Sequence, residues 1–378
     1  MPGLLPHVDP EGLLEYSVVY TDRALNHMSQ RFQGVMRDIA ATLKAAYAAQ
    51  AVAVVPGSGT FGMEAVARQF AQDQPCLVLR HGWFSYRWSQ ILEMGRISDR
   101  VTVLKARPAS QEAQATWAPA PLAEVVATIL RERPAVVFAP HVETASGMIL
   151  PDAYVQAVGQ AVREVGGLFV LDAIASGAIW VNMRELCVDV LVSAPQKGWS
   201  GSPGCAFVML GERAQARLAN TQSTSFAADL KKWSQIMQAY EDGAHAYHAT
   251  MPTDALARSR DAMLETRHLG FEQLRDRQWS LGARVRALMA ELGYPSVAAP
   301  EFAAPGVVVC HTRDAGLSTA RALGAQGVQS AAGVPLQCDE PAGFQTFRIG
   351  LFGLDKLQNI DRTLATLAQA LRQHQAAQ

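Results

Sequence analysis

Residues 191–204 read LVSAPQKGWSGSPG. An apolar run stops at Ser193-Ala194-Pro195, a single lysine, Lys197, follows, and Gly198, Gly201 and Gly204 then thin the chain out. The run 189–193 belongs to a set with 51–55, 76–79, 101–104, 135–139, 168–172 and 206–210, many of them apolar at almost every position. Strands covered on both faces read this way, whereas a strand with one wet face alternates. Helical patterns intervene near 63–72, 122–131 and 152–165. That alternation predicts an α/β fold with a mainly parallel sheet of seven strands. From about 210 to 251 the pattern is helix and loop. A long helical pattern over 253–292 leads to a smaller α+β unit with strands at 307–310 and 346–350 and helices at 315–323 and 356–373. The expected division is a large unit over 1–255 and a small one over 256–378.

Composition narrows the function classes. The chain has 378 residues, 49% hydrophobic and 18% charged, which suits a compact fold and argues against disorder. Its formal net charge is −1 and it has no basic block, so neither nucleic acid nor an anionic membrane is an expected partner. No apolar run is long enough to span a bilayer, and Asp9, Glu11 and Glu15 do not suit a signal peptide. The five cysteines are scattered and form no C-x-x-C, which predicts reduced thiols in a cytoplasmic protein without a metal site.

Ligands of an open α/β sheet sit beyond the carboxyl ends of its strands, and three such ends carry polar residues. In 57–65, GSGTFGMEA, a Gly/Ser/Thr loop precedes a helix expected to start near Phe61. Backbone N–H groups at a helix start suit a phosphate, with Ser58 and Thr60 adding hydroxyls. The competing reading is an ordinary turn with Thr60 as helix cap. Asp172 ends an apolar strand in LDAIASGA (171–178), where it either caps the next helix or meets a buried cation or donor. Lys197 either snorkels to solvent or, depressed in pKa near a buried strand end, acts as an amine nucleophile. Taken together, an anion cradle, a buried acid and an amine are what pyridoxal phosphate needs for its phosphate, its ring nitrogen and its aldehyde.

At this point the sequence resembles a known family, the class V pyridoxal-phosphate aminotransferases of fold-type I, nearest the alanine–glyoxylate and serine–pyruvate enzymes. Seven motifs occur in the family's order: GSGTFGMEA, GWFSYR (82–87), HVETASG (141–147), LDAIASGA, SAPQKGWSGSPG (193–204), AYHATMP (246–252) and FRIGLFG (347–353). The resemblance runs from about residue 51 to the C-terminal helix. It implies that Lys197 condenses with the cofactor aldehyde and later moves the substrate proton, and that Asp172 pairs with the pyridine nitrogen. It implies that Ser58, Gly59, Thr60 and Gln196 hold the phosphate. Phe84, or Trp83 if the register shifts by one, would stack on the ring, and Thr144 would lie near the phenolic oxygen. Glu143 reads as structural. Tyr247 and Thr250 would reach the cofactor of a second subunit, which implies a homodimer with shared active sites. Arg348 would grip the substrate's α-carboxylate, with a small amino acid and a small 2-keto acid as substrates. His245 and His248, three apart without a third ligand, do not suggest a metal.

The N-terminal region departs from the family. Where members carry a Pro/Gly-rich segment, this chain has HVDPEGLLEYSVVYTDRALNHMS (7–29). Tyr16, Tyr20, Arg23, Asn26 and His27 either line the substrate pocket or pack across a dimer interface. Three rival functions follow from the same motifs. GSGTF and ETASG also resemble the 2-aminoethylphosphonate–pyruvate aminotransferases. A cysteine desulfurase would need a histidine before the lysine, where Gln196 stands, and a mobile cysteine, for which Cys338 is the candidate. A non-catalytic protein on the same fold would not be expected to keep Lys197, Asp172 and Arg348.

Overall fold

The computed structural model describes residues 13–377, so HVDPEG (7–12), with Asp9 and Glu11, lies outside the described residues. Seven strands form the large sheet: β1 (Ala51–Pro56), β2 (Cys76–Arg80), β3 (Val101–Lys105), β4 (Val136–Pro140), β5 (Leu168–Asp172), β6 (Val190–Ser193) and β7 (Cys205–Leu210). Their order is β1-β7-β6-β5-β4-β2-β3. β7 runs antiparallel to both neighbours and all other pairings are parallel. Every residue of β2, β4, β5, β6 and β7 is buried, while the edge strand β3 is half-exposed. The unbroken apolar runs thus reflect helices on both faces.

Helix α1 (Gln30–Tyr47) is capped by Ser29, whose side chain accepts from the Phe32 N–H. Helix α2 (Gly59–Phe70) begins two residues earlier than the sequence suggests. Phe61 and Gly62 donate to the Ser58 carbonyl at 2.9 and 3.2 Å, which makes Ser58, and not Thr60, the residue at the cap. Gly62 lets α2 lie close on the sheet: a Cβ there would fall 2.4 Å from the Ala206 Cβ. Helix α3 (Trp83–Met94) follows β2; α4 (Leu122–Glu132) and α5 (Asp152–Glu164) follow β3 and β4. The stretch after β7 holds α6 (Glu212–Ala219) and α7 (Leu230–Glu241).

The long helical pattern is two helices, α8 (Thr253–Leu269) and α9 (Phe271–Glu291), parted by Gly270 at φ 88°, a conformation that glycine adopts without steric cost. Leu256 and Met263 of α8 pack into the core of the large sheet, whereas Leu274, Leu281 and Val285 of α9 begin a second core. That second core lies on β8 (Val307–His311), β9 (Ala331–Ala332) and β10 (Thr346–Gly350), an antiparallel sheet of order β8-β10-β9. The two-residue β9 leaves no periodic signal in sequence. The helical patterns at 315–323 and 356–373 each break once, giving α10 (Ala315–Ser318), α11 (Arg321–Ala325), α12 (Leu354–Gln358) and α13 (Ile360–Ala376); Ala320 at φ 61° parts the first pair. Arg286 of α9 ties the loop after β4 to the smaller sheet, donating from Nη2 to the carbonyls of Gly147 (3.2 Å), Ala304 (2.9 Å) and Val307 (3.1 Å). Among the described residues no helix is long and apolar enough to cross a membrane.

Candidate active site

Five strands point their carboxyl ends at one cavity. β1 delivers Ser58, Gly59 and Thr60, β2 delivers Phe84, β4 delivers Val142 and Thr144, β5 delivers Asp172, Ile174 and Ala175, and β6 delivers Gln196 and Lys197. Arg87 completes the wall. This is where an open α/β sheet holds its ligand.

The β1 end offers free donors. Ser58 makes no side-chain cap bond, and the N–H groups of Gly59 and Thr60 bond to no described residue. They stand at the positive end of α2. Gly59 is tight against the opposite wall, where a Cβ would sit 2.5 Å from the Ile174 Cδ1.

Asp172 is only 7% exposed. Its Oδ1 accepts from the Ile174 N–H at 3.0 Å, and its Oδ2 has no hydrogen-bond partner among the described residues. Burial pushes its carboxyl up to about 7; the Ile174 N–H, Arg87 and Lys197 pull the other way, and Glu143 adds to the rise. A buried carboxylate with an unfilled oxygen is costly until a cationic donor reaches it. Lys197 is half-buried, and burial holds its amine below the usual lysine range, with Asp172 opposing. Its Nζ lies 5.2 Å from the centre of the Phe352 ring. Gly198 leaves it room at the turn: a Cβ there would overlap the Gly177 carbonyl oxygen at 2.1 Å.

Arg348 comes from the other sheet. On β10 it pairs with Val309 and Ala331, and its Nε donates to the Ala332 carbonyl at 2.7 Å. That bond aims the guanidinium at the large unit, with Nη1 3.5 Å from the Thr144 carbonyl and Cζ 5.5 Å from the Phe84 ring centre. Lys197, Asp172 and Arg348, distant in sequence, therefore converge.

Other sequence candidates fall elsewhere. Trp83 is half-buried and does not line the cavity, whereas Phe84 does. Glu143 is fully buried and accepts from the N–H groups of Phe84, Ser85 and Ala145, which pins the start of α3. Tyr247, 54% exposed, shares a 3.2 Å hydroxyl–hydroxyl bond with the exposed Thr250, away from the cavity. None of Tyr16, Tyr20, Arg23, Asn26 and His27 lines the cavity; the Tyr20 hydroxyl donates to the Met251 carbonyl and His27 packs its ring against those of His245 and Tyr247. Cys338 is buried, its thiol pushed up to about 12 by burial, with Sγ 3.4 Å from the Arg80 carbonyl. A buried thiol held protonated in this way does not suit an exposed loop nucleophile. All five cysteines are free, and no described cluster of three His, Cys, Asp or Glu side chains suits a metal ion.

Two residues at the site escaped the sequence reading: Arg87 on the cavity wall and Phe352, whose ring centre lies 5.2 Å from the Lys197 Nζ. Arg87 lies three positions after Phe84 on α3, on the same helix face. Phe352 lies four positions beyond Arg348 within FRIGLFG.

The family model for aminotransferase class-V matches residues 13–351. A 2-aminoethylphosphonate–pyruvate transaminase from Pseudomonas aeruginosa is 29% identical over 324 residues, covering 84% of this chain and 81% of its own. The alanine–glyoxylate aminotransferase of Rattus norvegicus is 24% identical over 362 residues, covering 93% and 83%. A solved alanine–glyoxylate aminotransferase from Nostoc sp. shares the fold, with a TM-score of 0.77 at 22% identity over 91% of this chain and 88% of its own. Such a class implies pyridoxal phosphate, and the cavity fits that group: free N–H groups at a helix start, a buried acid with one unfilled oxygen, and an amine on the same wall. The chain belongs to the class-V aminotransferases.

Proposed function

We propose that this transaminase moves an amino group from a small amino acid, alanine or serine-like, to a small 2-keto acid, glyoxylate or pyruvate, in two half-reactions at one pyridoxal phosphate. The approach of Arg348, beside Phe84 and Thr144, to the cavity that Lys197 lines carries this reading. Arg348 offers a forked guanidinium to a carboxylate, and Phe84, Phe352, Val142 and Ala175 nearby leave an apolar place for a short side chain.

The bound cofactor supplies an electron sink for the charge left when the α-proton departs. The chain supplies the rest. Ser58, Gly59, Thr60 and Gln196 would hold the phosphate, Phe84 would stack on the ring, and Thr144 would serve the phenolic oxygen. Asp172 keeps a proton on the ring nitrogen, a role supported by its unfilled Oδ2. Lys197 would hold the aldehyde through Nζ and, as a free amine, would take the α-proton on Nζ and deliver it to the cofactor carbon across the substrate nitrogen. Burial favours the neutral amine that both tasks require. Tyr247 and Thr250, exposed on this chain, reach the active site of a second subunit, so the working form is a homodimer with shared sites.

A 2-aminoethylphosphonate donor is the second reading, favoured by the 29%-identical Pseudomonas relative. Arg348 would then hold a phosphonate. A screen of amino donors, including alanine, serine and 2-aminoethylphosphonate, against glyoxylate and pyruvate decides between them, with each half-reaction followed spectrally. A carboxylate donor reacting fastest supports the first reading. A clear preference for the phosphonate overturns it.

A further inference from the structure

Arg87 is a half-buried cation on the cavity wall, and it forms no ion pair with any described carboxylate. Its Nη1 donates to the Thr60 hydroxyl at 2.9 Å, and its Cζ lies 5.3 Å from the centre of the Phe84 ring. Phe84 therefore has two guanidinium groups near its ring, Arg348 at 5.5 Å and Arg87 at 5.3 Å. Only Arg87 touches the α2 start. The bond to Thr60 uses one of its five N–H donors, and the stacking contact holds the planar group in place.

The chemistry of the neighbouring cradle says what this cation is for. A phosphate monoester carries close to two negative charges near neutral pH. The free N–H groups of Gly59 and Thr60 and the hydroxyl of Ser58 are neutral donors, and a helix terminus contributes only about half a charge. A dianion held by these alone would be left with uncompensated charge. A guanidinium adds a full positive charge and a fork that matches two phosphate oxygens.

We propose that Arg87 is a direct ligand of the cofactor's phosphate and holds it as the dianion against the start of α2, an inference that rests on the pyridoxal-phosphate reading above. Thr60 then has two tasks: it offers its N–H to the phosphate and its hydroxyl to Arg87. Phe84 likewise stacks on the cofactor ring and steadies the guanidinium.

The test compares pyridoxal 5′-phosphate with pyridoxal, which has the aldehyde and the ring but no phosphate. Dissociation constants for both are measured on the parent chain, Arg87→Gln and Arg87→Lys, and the phosphate of the bound cofactor is titrated by phosphorus NMR. Arg87→Gln should weaken pyridoxal phosphate about 10- to 100-fold, the effect of a lost charge-assisted contact. It should leave pyridoxal within about twofold and raise the pH at which the bound phosphate takes up a proton. Arg87→Lys should fall between, since an ammonium restores the charge and loses the fork. Equal weakening of both compounds overturns the proposal and makes Arg87 a prop for the fold. Unchanged affinity for pyridoxal phosphate overturns it as well, whatever happens to substrate binding. A parent chain that binds neither compound sinks the cofactor reading itself, a result distinct from either.

Discussion

Glu143 Oε2 accepts two hydrogen bonds from one residue: the Ser85 N–H at 2.8 Å and the Ser85 hydroxyl at 2.7 Å. Its other oxygen accepts from Ala145 at 2.9 Å and from Phe84 at 3.3 Å. One fully buried carboxylate thus fixes the first turn of α3, the turn that aims Phe84 and sets the phase for Arg87. Glu143→Gln replaces an acceptor oxygen with a donor and leaves buried N–H groups facing it. The cost should be about 1–3 kcal/mol, seen as a lower Tm and weaker cofactor binding together. An unchanged Tm in the cofactor-free protein would remove Glu143 from this role.

On the roles proposed above, Lys197→Ala removes both the amine that binds the aldehyde and the carrier of the α-proton. Turnover should fall by at least the 10²- to 10⁴-fold typical of a lost acid–base group. Borohydride reduction of the loaded parent chain, followed by peptide mapping, should place the pyridoxyl label on Lys197. A label on any other lysine refutes the assignment.

Much of this site is legible in sequence because its residues sit in fixed relation to strand ends. Ser58, Asp172 and Lys197 each follow a run apolar at almost every position, so the end of the run locates them on one edge of the sheet. The start of α2 was misplaced because a Ser-Gly-Thr loop admits more than one cap; only the bonds from Phe61 and Gly62 to the Ser58 carbonyl settle it. The break at Gly270 is hard to read from periodicity, since a single residue parts two long helices. Arg87 and Phe352 were missed for another reason. Each becomes part of the site through a contact with a residue far away in sequence, Thr60 and Lys197, and no local pattern encodes such a pair.

Asp172 makes stability depend on pH in a definite direction. Its carboxyl is pushed from 3.8 to about 7 in the folded cofactor-free chain, chiefly by burial. Between those values the folded chain keeps a proton that the unfolded chain has released. Stability from this group is therefore present below about pH 4, declines as pH rises, and is lost above about pH 7; the full span is on the order of 4 kcal/mol. Asp172→Asn deletes the dependence. The cofactor-free variant should be more stable than the parent at pH 8, with the advantage vanishing toward pH 4. With cofactor and substrate, the same change should slow each half-reaction on the order of a hundredfold, because an amide cannot hold a proton on the ring nitrogen. A variant no more stable than its parent at pH 8, or one with near-normal half-reactions, contradicts this account of the site.

Arg348 reaches the cavity from the smaller sheet, while the contacts proposed for the cofactor come from the larger one. Arg348→Ala should therefore leave the absorbance of the loaded enzyme unchanged. It should weaken amino acid and keto acid together, since both present the same carboxylate. Loss of a bidentate charge-assisted contact costs about 2–4 kcal/mol, roughly thirty- to a thousandfold in apparent affinity. Arg348→Lys should recover only part, because its Nε bond to the Ala332 carbonyl at 2.7 Å, which orients the guanidinium, has no counterpart in lysine. Amines without an acidic group make no use of the fork, so their slow reaction should be indifferent to either change. If such amines suffer as much as alanine does, Arg348 acts on the shape of the cavity and not on the carboxylate, and the substrate class must be drawn from another residue.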